Sequence, residues 1–139
     1  MKLFILLAMI FLNIVDDYYL QGGNSILWQF KQKEFWDKEF SGDTKTREHH
    51  LYRHDYKVAL LTHAFSWTFM VHIPIIAWML YRGITHPSAM ILFAAIFVLM
   101  WIAHAVTDNE KANHKTISLK TDQLIHMLQI MIVWMIWMV

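Results

Sequence analysis

The sequence predicts an all-α protein, a bundle of four transmembrane helices with an amphipathic segment in its long first loop. Three observations carry this. Hydrophobic residues fill 57% of the 139 positions and charged residues only 17%, where soluble domains hold about a quarter charged. The apolar residues gather into four blocks of near-spanning length, and mean hydropathy is +0.33. Seven Trp and five Tyr suit anchoring at membrane–water interfaces. The length fits one domain, residues 1–139. A net charge of +1 leaves no footprint for a polyanion, so nucleic acid is not an expected partner. With no cysteine, disulfides, thiolate nucleophiles and Cys-ligated zinc are excluded.

The first span is expected over about residues 3–21. Lys2 precedes an apolar run broken only by Asn13, and Asp16-Asp17 follow. A signal peptide opens similarly, but no small-residue cleavage site appears, so a spanning helix is the better reading. Residues 22–55 form a polar connection. Gly22-Gly23-Asn24-Ser25 breaks the helix. From Ile26 to Phe40, Trp28, Phe30, Phe35 and Trp36 interleave with Lys and Glu, as in a helix or hairpin lying on a membrane surface. Its six basic and six acidic residues leave this connection neutral.

The second span is expected over about 56–81, kinked or locally opened at Pro74. The third runs over about 87–108, with Pro87 in its first turn. Asn109 to Lys120 reads as a polar loop, and 121–139 as the fourth span. Ten of the twelve Lys and Arg fall on one side of such a bundle, leaving Lys2 and Arg82 on the other. The positive-inside rule then puts the long loop in the cytoplasm and both termini outside.

The ionisable residues of all four spans fall at the cytoplasmic end. His104 and Asp108 lie four apart, as do Asp122 and His126, so each pair shares one helix face. Asn13, Trp67, His104 and His126 form a deeper tier; Asp17, His63, Asp108 and Asp122 form a shallower one. Charges at such depth need partners. A divalent cation binds carboxylate and neutral imidazole together, and zinc takes these ligands most readily. The expected ligands are Asp17, His63, His104, Asp108, Asp122 and His126, with Gln21, Gln123, Asn13 and Lys111 orienting them. Asp16, about 100° from Asp17, is expected to face the headgroups. His72 and His86 are expected to be structural. A separate cluster, Glu48-His49-His50 with His54, sits in the loop.

In order, Asp17-Tyr-Tyr-Leu-Gln21, Leu-Thr-His63-Ala, His104-x3-Asp108-x2-Lys111 and Asp122-Gln123-x2-His126 resemble a family of bacterial and phage membrane proteins. That family is catalogued as domain of unknown function 3307, and the resemblance implies the inner membrane of a bacterium or phage-infected host. It is in turn distantly similar to LexA-regulated membrane-bound metal-dependent hydrolases, whose His/Asp helical core is like that of zinc-dependent phospholipase C. Family members often carry His where Asn13 and Trp67 stand here. The resemblance therefore implies a single metal, or a site kept for structure.

The expected function is metal-dependent hydrolysis of a lipid or phosphate ester. Asp122 would be general base and Lys111 would neutralise a phosphate. The alternatives are a non-enzymatic phage membrane protein, serving exclusion, lysis control or assembly, and metal or proton transport. Membrane lipid is the expected partner, with other membrane proteins or a homo-oligomer as further ones.

Overall fold

The computed structural model describes residues 1–20, 26–39 and 51–138. Six helices are numbered here: α1 (Lys2–Leu20), α2 (Ile26–Phe30), α3 (Lys33–Glu39), α4 (Asp55–Tyr81), α5 (Pro87–His114) and α6 (Leu119–Met138). There is no strand among the described residues. Helices α1, α4 and α5 are long and apolar enough to cross a membrane. The fourth long helix, α6, begins with Lys120, Asp122, Gln123 and His126, and these polar turns set it apart from the other three.

Helix α4 is the centre of the bundle. Half of its most apolar stretch is buried, against 22% for α1 and 17% for α5. Met9, Trp67, Val71, Ile75, Ile130 and Val133 meet in the core. Around it Phe4, Leu7, Phe11, Phe65, Phe69, Ile91, Leu99, Ile102 and Leu128 stay exposed. An apolar coat of that extent suits a lipid surround, not water. Pro74 is accommodated within α4, which continues through it to Tyr81.

Helix ends fix the connections. Past α4, Ile84 N–H donates to Met79 O and Gly83 N–H to Leu80 O, both across a left-handed Gly83 at φ +64°. This pattern closes a helix and suits glycine, which has no Cβ to clash. Helix α5 then starts with Pro87 in its first turn, as expected, and His86 caps it by accepting from Ser88 N–H. His72, inside α4, is tied to the Thr68 carbonyl 2.7 Å away. Neither His72 nor His86 enters the site described below.

One side-chain placement and one boundary differ from expectation, both at π-helical turns. Val15–Leu20 and Glu110–His114 are π-helical. A π turn bonds i to i+5 and is wider than an α turn. The angular step per residue falls below the α-helical value, so adjacent residues lie closer to one face. Asp16 is thereby buried, not headgroup-facing, and its carboxylate accepts from Ser66 Oγ at 2.7 Å. At the other end α5 runs on to His114, so the polar connection to α6 shrinks to residues 115–118. Lys115, left-handed at φ 56°, ends that helix.

The segment expected on a membrane surface is two short helices, α2 and α3, turning at Lys31. Phe30, Phe35 and Trp36 pack on one another with ring centroids 5.2–5.6 Å apart. Trp36 Nε1–H donates to Phe30 O and closes the turn. The turn aims Lys31 inward, and Lys31 is 3% exposed.

Candidate metal centre

The centre lies where the C-terminal ends of α1 and α5 meet the N-terminal ends of α4 and α6. His63, two turns into α4, presents Nε2 at 3.4 Å from His104 Nε2 of α5. Asp108, one turn beyond His104, brings Oδ2 to 2.7 Å from His63 Nε2. Its Oδ1 lies 3.8 Å from His126 Nε2 of α6 and 4.0 Å from His104 Nε2. Asp17 enters from α1, with Oδ1 4.0 Å from His63 Nε2 and Oδ2 3.3 Å from His126 Nδ1. Asp122 Oδ1 lies 3.6 Å from His126 Nε2. The two i, i+4 pairs thus face one another across α5 and α6, with His63 and Asp17 between.

The donor set fits a divalent cation. Ligand atoms of Asp17, His63 and His104 lie within 4.8 Å of one another, and so do those of His104, Asp108 and His126. Tetrahedral ligands at ~2.1 Å from an ion stand ~3.4 Å apart. His63 and His104 already have that separation, and the others need only small side-chain shifts. At the centre itself His126 Nε2 and Asp122 Oδ1, 3.6 Å apart, are buried and make no hydrogen bond among the described residues. Buried polar atoms normally have a partner, and a divalent cation between these two would serve both.

Trp67 forms the floor. Its indole stacks on His104 at 4.1 Å between centroids and 9° between planes. Its Nε1–H donates to Asn13 Oδ1 at 2.7 Å. Asn13 therefore orients the floor and not a ligand. Gln123 does orient ligands, donating to Asp17 Oδ2 and Asp122 Oδ2 at 3.3 Å each. Lys111, 18% exposed, pairs with Asp122 Oδ2 at 2.5 Å, so the two residues expected to act on substrate are bound to each other. Gln21, Glu48, His49 and His50 lie outside the described residues. His54 is at the surface, accepting from Arg53 Nε–H.

Sequence reasoning missed two participants. Lys31 Nζ reaches 2.6 Å from Asp108 Oδ2 and 3.1 Å from His63 Nε2. In the sequence it is one of six basic residues in a neutral loop, and no periodicity marks it. Ser66, three residues from His63, donates to Asp16 Oδ1 at 2.7 Å, a pairing between α4 and α1 that no local spacing announces.

Helix α3 is held over this end by Asn113, whose Oδ1 accepts from Lys33 N–H at 2.7 Å, and by Lys115 on Glu34 at 3.0 Å. Hydrogen bonds from Lys38 and Lys115 pull the Glu34 carboxyl from 4.5 down to about 2. A lowered folded value means the contribution is complete above about pH 4.5 and vanishes as pH falls towards 2. Hydrogen exchange across residues 33–39 should therefore quicken, relative to Glu34→Gln, in that acid window only. An equal pH response in the variant would show that the pair does not hold α3.

Compared with known proteins, the chain matches no family model, no curated protein and no solved structure.

Proposed function

We propose that the chain is a four-span membrane protein that binds one divalent cation, zinc most readily, at the cytoplasmic headgroup level. There it hydrolyses a phosphate ester or acyl bond of a lipid or lipid-linked substrate. The carrying observation is the meeting of His63, His104 and His126 with Asp17 and Asp108 around one point. The ordered motifs that resemble the family of bacterial and phage membrane proteins support the same reading.

A bound ion would supply a water of pKa near ~7 and polarise the scissile group. The chain's own residues do the rest. Lys111 fixes Asp122 Oδ2, leaving Oδ1 to accept a proton from water. Lys111 is the more exposed partner and can turn outward to a phosphate. Trp67 and the apolar residues below it keep water from passing deeper.

Protein purified in detergent without chelator should carry about one equivalent of zinc or a similar ion per chain, within the single-centre ligand set. His104→Ala with His126→Ala should remove it. Metal analysis finding none in the wild-type protein would sink the proposal.

One observation favours a second reading. Lys31 and Lys111 already neutralise Asp108 and Asp122, as in a polar cluster that holds a non-enzymatic membrane protein together. Loss of the fold in His and Asp variants, with no turnover by the wild type across a broad panel of lipids and phosphate esters, would decide for that reading.

A further inference from the structure

Among the described residues of the centre, Lys31 has no task in metal-assisted hydrolysis. Its place is built. The ammonium stands 4.8 Å from the centroid of the Trp28 ring. Its own carbonyl accepts from Asn113 Nδ2 at 3.1 Å, and the next turn is fixed through Lys33 N–H on Asn113 Oδ1. Asn113 sits on α5, the helix that carries His104 and Asp108. A buried lysine forfeits both hydration and rotamer freedom, so these contacts must outweigh a substantial loss.

Nζ lies 2.6 Å from Asp108 Oδ2 and 3.1 Å from His63 Nε2, and those two atoms are themselves 2.7 Å apart. A cation ligated by both atoms, at ~2.1 Å from each, would have to stand where the ammonium stands, and two positive charges cannot share that place. Lysine and metal cannot both hold His63 and Asp108.

We propose that Lys31 is the specificity-determining residue of this centre. It is a tethered cation that competes with the divalent ion for His63 and Asp108, and metal binding displaces it together with the Ile26–Glu39 segment. This rests on the metal reading above. Ions that bind nitrogen and carboxylate ligands strongly can displace the ammonium; weak binders such as magnesium cannot. Displacement also uncovers a centre that is otherwise buried beneath α2 and α3, and so admits substrate.

The test is a zinc titration of the full chain in detergent against a chromophoric chelator, for wild type, Lys31→Met and Lys31→Arg. Removing a competitor that fills the site most of the time should tighten binding about tenfold or more in Lys31→Met. Lys31→Arg keeps the charge and should stay close to wild type. Lys31→Gln, polar and uncharged, should also tighten binding, and it replaces the Met variant should that one fail to fold. Since the chain has no cysteine, a spin label on Gln29→Cys reports the segment alone, and it should gain mobility when zinc is added. Equal or weaker affinity in both uncharged variants, or an unmoved label at saturating zinc, overturns the competition and leaves the metal centre standing. No binding by any variant, wild type included, overturns both.

Discussion

Asp108→Asn is expected to destabilise the metal-free protein by about 3–5 kcal/mol, the usual result of stripping one partner from a buried ion pair. The pair is Lys31 with Asp108, at 2.6 Å and with side chains 4% and 2% exposed. Asparagine keeps the shape but leaves a buried ammonium without a counter-charge. Adding Lys31→Met should restore most of the loss, because no charge is then stranded. Reversible unfolding in detergent with chelator present, read as a double-mutant cycle, isolates the coupling. A single Asp108→Asn variant as stable as wild type would show that Lys31 does not rest on Asp108. The same change at Asp122 should cost less, since Lys111 is partly exposed and can turn to water.

Trp67→Ala is expected to cost a similar ~3–5 kcal/mol, through a different mechanism. Trp67 is 1% exposed and is among the largest fully buried side chains. Truncation removes the stacking surface of His104 and the hydrogen bond to Asn13. It also opens a cavity between the polar centre and the core of Met9, Val71, Ile75 and Ile130. Trp67→Phe keeps much of the area but not the hydrogen bond, and should lie between wild type and Ala. Metal retention should follow the same order, because His104 loses its backing. Unfolding curves that place Phe and Ala together, near wild type, would remove Trp67 from both roles.

The helical bundle and most of the convergence are legible without coordinates. Apolar blocks long enough to span announce α1, α4 and α5, and the i, i+4 spacing of His104–Asp108 and Asp122–His126 puts each pair on one face. Those signals are local, and helical periodicity transmits them directly. The fourth expected span is not among the helices long and apolar enough to cross a membrane, since the polar residues that build the centre dilute the apolar signal of α6. The expectation for Asp16 assumed 100° per residue, and the π turn at Val15–Leu20 invalidates that step. Nothing local distinguishes a π turn from an α turn here.

Composition and spacing by themselves determined an apolar helical chain with imidazoles and carboxylates gathered at one end. Only the tertiary structure decided that Lys31 reaches both Asp108 and His63, that Asp16 turns inward to Ser66, and that Lys111 is bound to Asp122. The reason is range. Helical spacing is set by neighbours three or four residues away, whereas Lys31 and Asp108 are 77 positions apart. Their meeting depends on a turn closed by Trp36 and clamped by Asn113, contacts that exist only once the bundle has formed.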